Sequence, residues 1–334
     1  MQTIRTRTDF LDAIHENQLL GLWEREREGA GGRPTRAYLW RGERLREFLS
    51  EAGEQIAIDE GQGRRVLQLI GPGLDSTTGI LQMSLQLIKS GEIATAHRHA
   101  IRAIRFIVEG QGAYTTIAGA RFPLAPRDLL VTPSLGWHDH GHDGAGGVVW
   151  LDILDSPLVR FTGLVRFQPY HTAVQQATEP PAAFAERAAL FPRVGAPPDP
   201  TTQPLHYRWE DAWAQLRYYL TLPADAHDGA LLRYAGRDGG TTLPTVDCRL
   251  QALAPRFEGR RHRHASATAY YVLEGQGRTV VEGEELVWEA GDAFVVPTWA
   301  WHSHANRGGE AAVLFAADDS PTLERLGFYW EEAE

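Results

Sequence analysis

The sequence predicts a mainly β protein built from two similar jelly-roll barrels, and three observations lead to this prediction. The first is an internal duplication: the residues H-R-H at 97–99 return at 262–264, and a segment ending in E-G-Q-G follows each copy after five residues. The pattern P-x-x-x-W-H at 133–138 likewise returns at 297–302. The offsets are 165 and 164 residues, so one deletion separates the copies. A duplication of this length predicts two units of one fold.

The second and third observations are short β-rich stretches and the turn residues between them. Stretches of four to six residues recur at roughly ten-residue spacing, with Gly, Pro and Asp separating them, as in sandwiches and barrels of the jelly-roll kind. In the first copy they are 105–108, 113–117, 129–132 and 148–151, and in the second 269–273, 278–281, 293–296 and 312–315.

The rest of the chain has a different pattern. Apolar residues follow helical spacing over 9–19, with Thr8 as a candidate cap, and over 43–52. Residues 180–204 hold seven of the 19 prolines and predict an irregular connector, with a helix expected around 209–220. The predicted domains are an N-terminal helical extension over 1–63, an N-terminal barrel over 64–167, a linker with a helix over 168–228 and a C-terminal barrel over 229–334.

Composition and charge narrow the class of protein. A net charge of −10 argues against a nucleic-acid partner, although a local arginine cluster can still bind a small anion. The single cysteine, Cys248, excludes an internal disulfide and fits a reducing compartment; it is more often a small buried residue than a nucleophile. No signal peptide or membrane-spanning run is recognised, so we expect a cytoplasmic protein without a membrane partner.

The paired histidines predict a metal site. Residues i and i+2 of a strand face the same side, so His97 and His99 present two imidazoles together, and His138 can bring a third from a later strand. Neutral imidazole suits Fe, Zn, Cu or Ni. A lone histidine is usually a core or surface residue, but this alternative weakens for a three-histidine pattern that occurs twice.

The spacing of these residues resembles the cupin superfamily. The residues that carry the resemblance are Gly91, His97, His99, Gly110, Pro133, Gly136 and His138. Many metal cupins place a glutamate ligand shortly after the second histidine. Here those places hold Ala103 and Ile104, and Thr268 and Ala269 in the second copy, which points to an all-histidine site.

A narrower resemblance covers residues 64–317. The segments H-R-H at 97–99, W-H-D-H-G at 137–141, W-L-D at 150–152 and W-A-W-H-S-H-A-N at 299–306 are similar to the gentisate 1,2-dioxygenase family, which includes salicylate and 1-hydroxy-2-naphthoate dioxygenases. The resemblance implies a homotetrameric bicupin of aromatic catabolism with Fe(II) in the N-terminal barrel. It also implies ligands and a reaction: His97, His99 and His138 hold the iron, and O₂ opens the ring of a small aromatic 2-hydroxycarboxylate.

Four polar residues are candidates for contact with that substrate. Arg105 offers a planar fork for a carboxylate, where the second copy has Tyr270, and the alternative is a surface arginine. The resemblance implies that Arg105 holds the substrate carboxylate, that His140 relays a proton and that Asp152 lines the pocket. For His140 and Asp152 a solvent-facing histidine and a salt-bridge partner remain open. Arg65 is the candidate for a second substrate-binding arginine.

The strand before the histidine pair departs from the family pattern. Many members have Trp or Tyr where this chain has Gln82, and Gly where it has Ser84. Both changes predict a more polar pocket, so the substrate need not be gentisate and a substituted salicylate is a competitor. Apolar walls are expected from Phe106, Leu135 and Trp137, each of which could equally be a core residue.

The second histidine set leaves a question open. His262, His264 and His302 could bind a second metal or could be remnants of the duplication, and the lack of an arginine at position 270 favours a structural or regulatory role. Two other functions also stay open at this point. One is a non-catalytic bicupin that binds a metal or a ligand, and the other is a different cupin metalloenzyme, such as an isomerase or decarboxylase.

Overall fold

The computed structural model describes residues 36–58, 64–177, 206–236 and 239–334, together with Thr8. The helix predicted over 9–19 and the proline-rich connector over 180–204 lie outside these residues.

Two antiparallel sheets form the first barrel. One has six strands in the order β12-β8-β5-β10-β3-β2, and the other has five in the order β11-β4-β9-β6-β7. Their bounds are β2 Arg65–Gln68, β3 Gln82–Lys89, β4 Ile93–His99, β5 Ala103–Glu109, β6 Ala113–Ile117, β7 Ala120–Leu124, β8 Leu129–Thr132, β9 His138–His142, β10 Gly147–Leu154, β11 Phe167–Pro169 and β12 His206–Tyr207.

The second barrel repeats this arrangement. Its sheets have the orders β1-β19-β16-β21-β14-β13 and β18-β17-β20-β15-β22. The bounds are β1 Tyr38–Trp40, β13 Ala230–Arg233, β14 Asp247–Leu253, β15 His262–His264, β16 Thr268–Glu274, β17 Gln276–Val281, β18 Glu284–Glu289, β19 Ala293–Val296, β20 His302–Ala305, β21 Ala312–Asp318 and β22 Glu331–Ala333. The predicted fold class, two jelly-roll barrels in a mainly β chain, is confirmed.

Helices are few in the described residues. They are α1 Gly42–Gln55, α2 Ser156–Phe161, α3 Trp209–Tyr219 and α4 Ser320–Leu326. The first and third lie where helical spacing predicted them. None of the helices in the described part of the chain combines the length and apolar character that crossing a membrane requires.

Strand alternation separates the barrel interior from the contact between barrels. On β5, Arg105 and Ile107 face inward, while Ile104 and Phe106 face the other way. Phe106 is fully buried in a core that both barrels share, and its ring stacks on Phe315 of β21 with centroids 4.6 Å apart. The sequence left Phe106 as either a pocket wall or a core residue. It is a core residue and does not line the pocket beside Arg105. Cys248 is buried in the same shared core, as expected for a small apolar residue.

The duplicated glycines after β5 and β16 are required by the backbone. Gly110 and Gly275 have φ values of 83° and 81°, which L side chains rarely adopt. A Cβ on Gly110 would also lie 2.3 Å from the carbonyl oxygen of Gly147. These two glycines lie where β5 and β16 end, before the next strand of each barrel begins.

The predicted extension and linker both contribute strands to the barrels. Tyr38–Trp40, within the predicted helical extension, form β1 and pair with β19 of the second barrel. His206–Tyr207, within the predicted linker, form β12 and pair with β8 of the first. Phe167–Pro169 pair with β4 across the predicted end of the first domain. The exact domain limits stay a prediction.

Replacing Phe106 with alanine tests the shared core. We expect a loss of about 3–5 kcal/mol in the free energy of unfolding, because the substitution removes a buried ring and its stack on Phe315. Urea denaturation measures this loss. The matched control is Phe48→Ala on α1, whose ring is 45% exposed and should cost less than about 1 kcal/mol. Equal losses in the two variants would contradict the assigned core.

Candidate active site

Three imidazoles meet inside the first barrel. His97 and His99 lie on β4, and His138 begins the neighbouring strand β9 in register with His97. Their ring centroids are 4.3 Å apart for His97 and His138, 4.8 Å for His99 and His138, and 5.4 Å for His97 and His99. One nitrogen from each ring lies within 4.8 Å of the others. We call these residues the first cluster.

Backbone carbonyls fix which nitrogen of each ring is free. Nδ1 of His97 lies 2.6 Å from the carbonyl oxygen of Thr95, and Nδ1 of His138 lies 2.8 Å from that of Gly136. Nδ1 of His99 is 2.7 Å from the carbonyl oxygen of Ile101. A carbonyl only accepts, so each Nδ1 carries the proton and each Nε2 keeps a lone pair. Three such nitrogens suit a divalent transition-metal ion.

Burial keeps the three rings in the neutral form that binds metals. It lowers the pKa of His97 to about 3, with the Arg64 guanidinium as the next cause. Burial also lowers the pKa of His99 and, further, that of His138. Among the described residues no carboxylate joins the first cluster. The donor set is therefore all-histidine, as the missing glutamate predicted.

Arg105 lies on β5 in a row of residues that also contains Asp152 of β10 and Ser84 of β3. Its Nη2 donates to Oδ1 of Asp152 at 2.9 Å, and its guanidinium lies 4.7 Å from the ring of Trp150. The Nε–H group is buried without a hydrogen-bond partner. Arg105 thus faces the barrel interior, not solvent, with one donor unsatisfied.

Asp152 is a partner of Arg105. Its two oxygens accept from Arg105 and from Nε1 of Trp150, the latter at 3.1 Å. The predicted contact with substrate does not follow from this geometry, because both oxygens are engaged and a carboxylate repels an anionic ligand. Asp152 holds the fork of Arg105 in place.

His140 lies two residues beyond His138, and the structure places it on the inner face. Its Nδ1 is 2.8 Å from Nη1 of Arg105 and 2.8 Å from Oγ1 of Thr115. Burial, and then the Arg105 charge, lower the pKa of His140 well below its ordinary value. The same Nη1 of Arg105 lies 3.2 Å from Nε2 of His140. Because a guanidinium only donates and its contact with Nδ1 is the shorter one, we assign Nδ1 as the acceptor and place the proton of the neutral ring on Nε2.

Arg64 is a functional candidate that the sequence analysis missed, and Arg65 is misassigned. Nη2 of Arg64 lies 2.5 Å from Nε2 of His97, at the first cluster. The Arg65 guanidinium instead binds both oxygens of Glu92, at 2.6 and 2.5 Å, and the carbonyl of Ile56. The reason is strand alternation, which turns successive residues to opposite faces. The apolar Leu67, two residues after Arg65 and packed against the shared core, could have indicated which face Arg65 takes.

The two departures on β3 have different surroundings. Ser84 lies next to Asp152 in the row that contains Arg105. It is 1% exposed, and its Oγ has no hydrogen-bond partner. The amide nitrogen of Gln82 donates to the carbonyl oxygens of Met83 and Leu69, at 2.7 and 3.2 Å. Ser84, more than Gln82, therefore has a polar group free for a ligand.

The remaining candidates lie around the first cluster. Asp139 accepts from the backbone and side-chain nitrogens of Gln175, so it holds the segment after β11 against β9. Trp137 packs on Arg98 and Tyr170, and Leu135 is 48% exposed. Phe167 of β11 stacks on His97 with centroids 5.2 Å apart.

Two jelly-roll barrels in one chain are the architecture of bicupin proteins, and here each barrel also contains three converging imidazoles. Comparison with known proteins agrees: a model described as Cupin domain matches residues 84–154 and 249–318. The chain is 36% identical to a 5-aminosalicylate 1,2-dioxygenase from Comamonas sp, over 97% of this chain and 90% of that protein. It is 34% identical to a 1-hydroxy-2-naphthoate 1,2-dioxygenase from Nocardioides sp., over 96% and 86%.

A solved structure has the same fold. The salicylate 1,2-dioxygenase of Pseudoaminobacter salicylatoxidans, as its adduct with gentisate, superposes with a TM-score of 0.86 at 27% identity, over 100% of this chain and 96% of that one. The chain belongs to the family of gentisate- and salicylate-type 1,2-dioxygenases, which are oxidoreductases that incorporate O₂.

Proposed function

We propose that the chain is a cytoplasmic, iron(II)-dependent dioxygenase that opens the ring of a gentisate- or substituted salicylate-type acid between the carboxyl-bearing and hydroxyl-bearing carbons. The observation that carries the proposal is the convergence of three Nε2 lone pairs beside two guanidinium groups, Arg64 and Arg105. Relatives named for 5-aminosalicylate, 1-hydroxy-2-naphthoate and gentisate support this substrate class.

His97, His99 and His138 would hold the metal ion. Iron(II) held there would supply a Lewis acid for the substrate oxygens and redox chemistry with O₂. Three neutral imidazoles bring no negative charge to balance the ion. A 2-hydroxybenzoate that binds through its carboxylate and phenolate oxygens would bring two, so the donor set favours this class of chelating dianion.

Arg105 would bind the substrate carboxylate. Its unpartnered Nε–H is a buried cationic donor, which is unfavourable until an acceptor reaches it. Asp152 and Trp150 fix the guanidinium plane, so its direction is set before substrate arrives. Arg64, now against Nε2 of His97, is a second cation that could turn to the same carboxylate when the metal takes that lone pair.

His140 would orient and stabilise the substrate hydroxyl. With Nδ1 engaged by Arg105 and Thr115, its Nε2–H can donate to an oxygen. Through this hydrogen bond the ring would stabilise negative charge that develops on the oxygen during ring opening. His140 and Arg105 are therefore the two proposed catalytic residues, and Asp152 is a positioning residue.

Ser84 would contact the ring substituent. Several relatives are named for salicylates with a polar group at ring position 5: amino, hydroxyl in gentisate, and nitro. An unpartnered buried hydroxyl in the row of Arg105 is suited to such a group.

The variant Ser84→Ala tests this contact. We expect kcat/KM to fall roughly fivefold for 5-aminosalicylate and gentisate, because a single net hydrogen bond is worth about 1 kcal/mol. Unsubstituted salicylate is the internal control and should change little. Equal losses for substituted and unsubstituted acids would show that Ser84 does not contact the substituent.

Oxygen uptake tests the function as a whole. The purified protein is loaded with Fe(II) under nitrogen and then given salicylate, its 5-substituted derivatives, gentisate and 1-hydroxy-2-naphthoate. We expect stoichiometric O₂ consumption and loss of the aromatic absorbance with at least one acid. A decarboxylase or isomerase would convert substrate without consuming O₂. Failure of every acid in the panel would refute the proposal.

A homotetrameric assembly belongs to the same proposal. Large apolar side chains that are more than half exposed occur at matching places in the two barrels, and such side chains commonly mark contacts between subunits. They are Phe161, Leu164, Val165 and Phe167, and Leu326, Phe328 and Trp330. Light scattering after gel filtration measures the mass directly.

The buried thiol of Cys248 is compatible with a reducing cytoplasm.

A further inference from the structure

The second barrel contains a cluster of imidazoles that the dioxygenase reaction does not use. His262 and His264 lie on β15, and His302 begins β20 in register with His262. One nitrogen from each lies within 4.8 Å of the others, and the His262 and His302 centroids are 4.2 Å apart. We call these residues the second cluster. Its backbone placement repeats that of the first.

Backbone carbonyls orient two of the three rings and leave one nitrogen lone pair of each free, whereas Nδ1 of His262 is buried without a hydrogen-bond partner. Nδ1 of His264 is 2.8 Å from the carbonyl of Ser266, two residues ahead, and Nδ1 of His302 is 2.9 Å from that of Ala300, two residues behind. His302 is 1% exposed, and its Nε2 is buried with no hydrogen-bond partner. A buried acceptor without a partner is unfavourable, and a bound cation would remove the cost. If the three histidines only filled space, apolar residues in their place would make the folded chain more stable.

A carboxylate approaches the second cluster from a loop. Asp228 precedes β13, in a turn closed by the bridge between Asp225 and Gly229 and held by the bond from the Arg260 N–H to the Ala226 carbonyl. Oδ2 of Asp228 lies 3.6 Å from Nε2 of His262. Asp228 is not among the residues whose ligand atoms all lie within 4.8 Å of one another, so its carboxylate stands beside His262 and not within the cluster itself. Many metal cupins have a glutamate ligand at the strand position that Thr268 occupies here. In this chain the carboxylate comes instead from the loop before β13.

The two clusters differ in charge. The first has the guanidinium of Arg64 against a ligand nitrogen and leaves the negative charge to a ligand. The second has the carboxylate of Asp228, and Tyr270 stands where the first barrel has Arg105. Arg249 of β14 is paired with Asp247 and Asp318. Three imidazoles and a carboxylate form a set that already balances part of an ion's charge.

We propose that His262, His264 and His302 bind a second divalent transition-metal ion that stabilises the C-terminal barrel, and that the carboxylate of Asp228 beside His262 balances part of the ion's charge. An ion bound only by the folded chain raises its stability, so a structural role follows without any reaction at this site. Three imidazole nitrogens suit Zn²⁺ or Fe²⁺.

The test compares two matched histidine variants of the full-length protein. Metal is removed with a chelator, Zn²⁺ or Fe²⁺ alone is restored, and bound metal per chain is measured by mass spectrometry after desalting. We expect two ions in the parent protein and one each in His99→Ala and His264→Ala. A single ion in the parent, lost with His99→Ala and kept with His264→Ala, would overturn the second site. It would leave the proposed function unaffected.

Asp228→Asn changes the charge of the side chain but not its size, so this variant should fold even if a histidine variant does not. We expect affinity at the second site to fall by about tenfold or more, measured by chelator competition on His99→Ala protein, in which only that site remains. The metal-dependent rise in melting temperature should shrink with it. Glu258→Gln removes an exposed charge from the same barrel and is the control. Equal affinities for Asp228→Asn and Glu258→Gln would remove Asp228 from the site.

Discussion

His99→Ala is expected to abolish ring opening and to remove the metal ion of the first barrel at the same time. The substitution deletes one of three Nε2 donors, and the described residues offer no carboxylate to replace it. The loss should exceed the roughly 10–100-fold that follows when a group supporting a metal ligand is removed. Oxygen uptake with the preferred acid and metal analysis of the same preparation measure both effects.

Arg98→Ala is the matched control for that experiment. Arg98 lies between the two ligands on β4 but faces the opposite side, where it donates to Gln168 and packs on Trp137 at 4.4 Å. This variant should keep its iron and its turnover. Turnover that survives in His99→Ala would refute the ligand assignment, and parallel losses in both variants would indicate damage to the strand.

The metal ligands could be predicted because their geometry is local. An H-x-H pair on a strand needs only strand alternation to converge, and the duplication supplied the third histidine by spacing. The carbonyls that orient the rings are local as well, since each lies two residues from its histidine. The partner of Arg105 could not be settled this way. Asp152 meets it only through the pairing of β5 with β10.

The side that Arg65 faces and the choice between pocket wall and core for Phe106 could not be settled from the sequence, and the cause is the same. Alternation predicts that neighbours on a strand face opposite sides, but the sequence alone does not say which side is the interior when both faces are buried. Here the outer face of each six-stranded sheet packs on the other barrel, so Phe106 is as buried as an interior residue. Arg65 is likewise buried, by Glu92 and Ile56, away from the first cluster.

The strands β1 and β12 were missed for a related reason. Each is two or three residues long and completes the edge of a six-stranded sheet, β1 in the second barrel and β12 in the first. Segments this short carry no periodicity, and their pairing partners are far away in sequence. Their function in the fold is to cover β19 and β8, whose backbone groups would otherwise be open to another chain.

Arg105→Met should lower kcat/KM by roughly 10²–10³-fold. Hydrogen bonds to a charged group are worth about 1.5–3 kcal/mol each, and the variant removes the donors that we propose for the substrate carboxylate. It also leaves Asp152 buried beside Trp150 without its cation, which is expected to cost about 3–5 kcal/mol of stability. Activity and stability must therefore be separated.

The double variant Arg105→Met with Asp152→Asn separates them. Removing both charges of the buried pair should restore much of the lost stability, since an uncompensated carboxylate no longer remains. Activity should stay low, because the guanidinium that we assign to the substrate is still absent. Urea denaturation and steady-state kinetics on the parent, both single variants and the double variant complete the cycle. If activity returned together with stability, Arg105 would be a structural residue and the carboxylate would have to be held by Arg64.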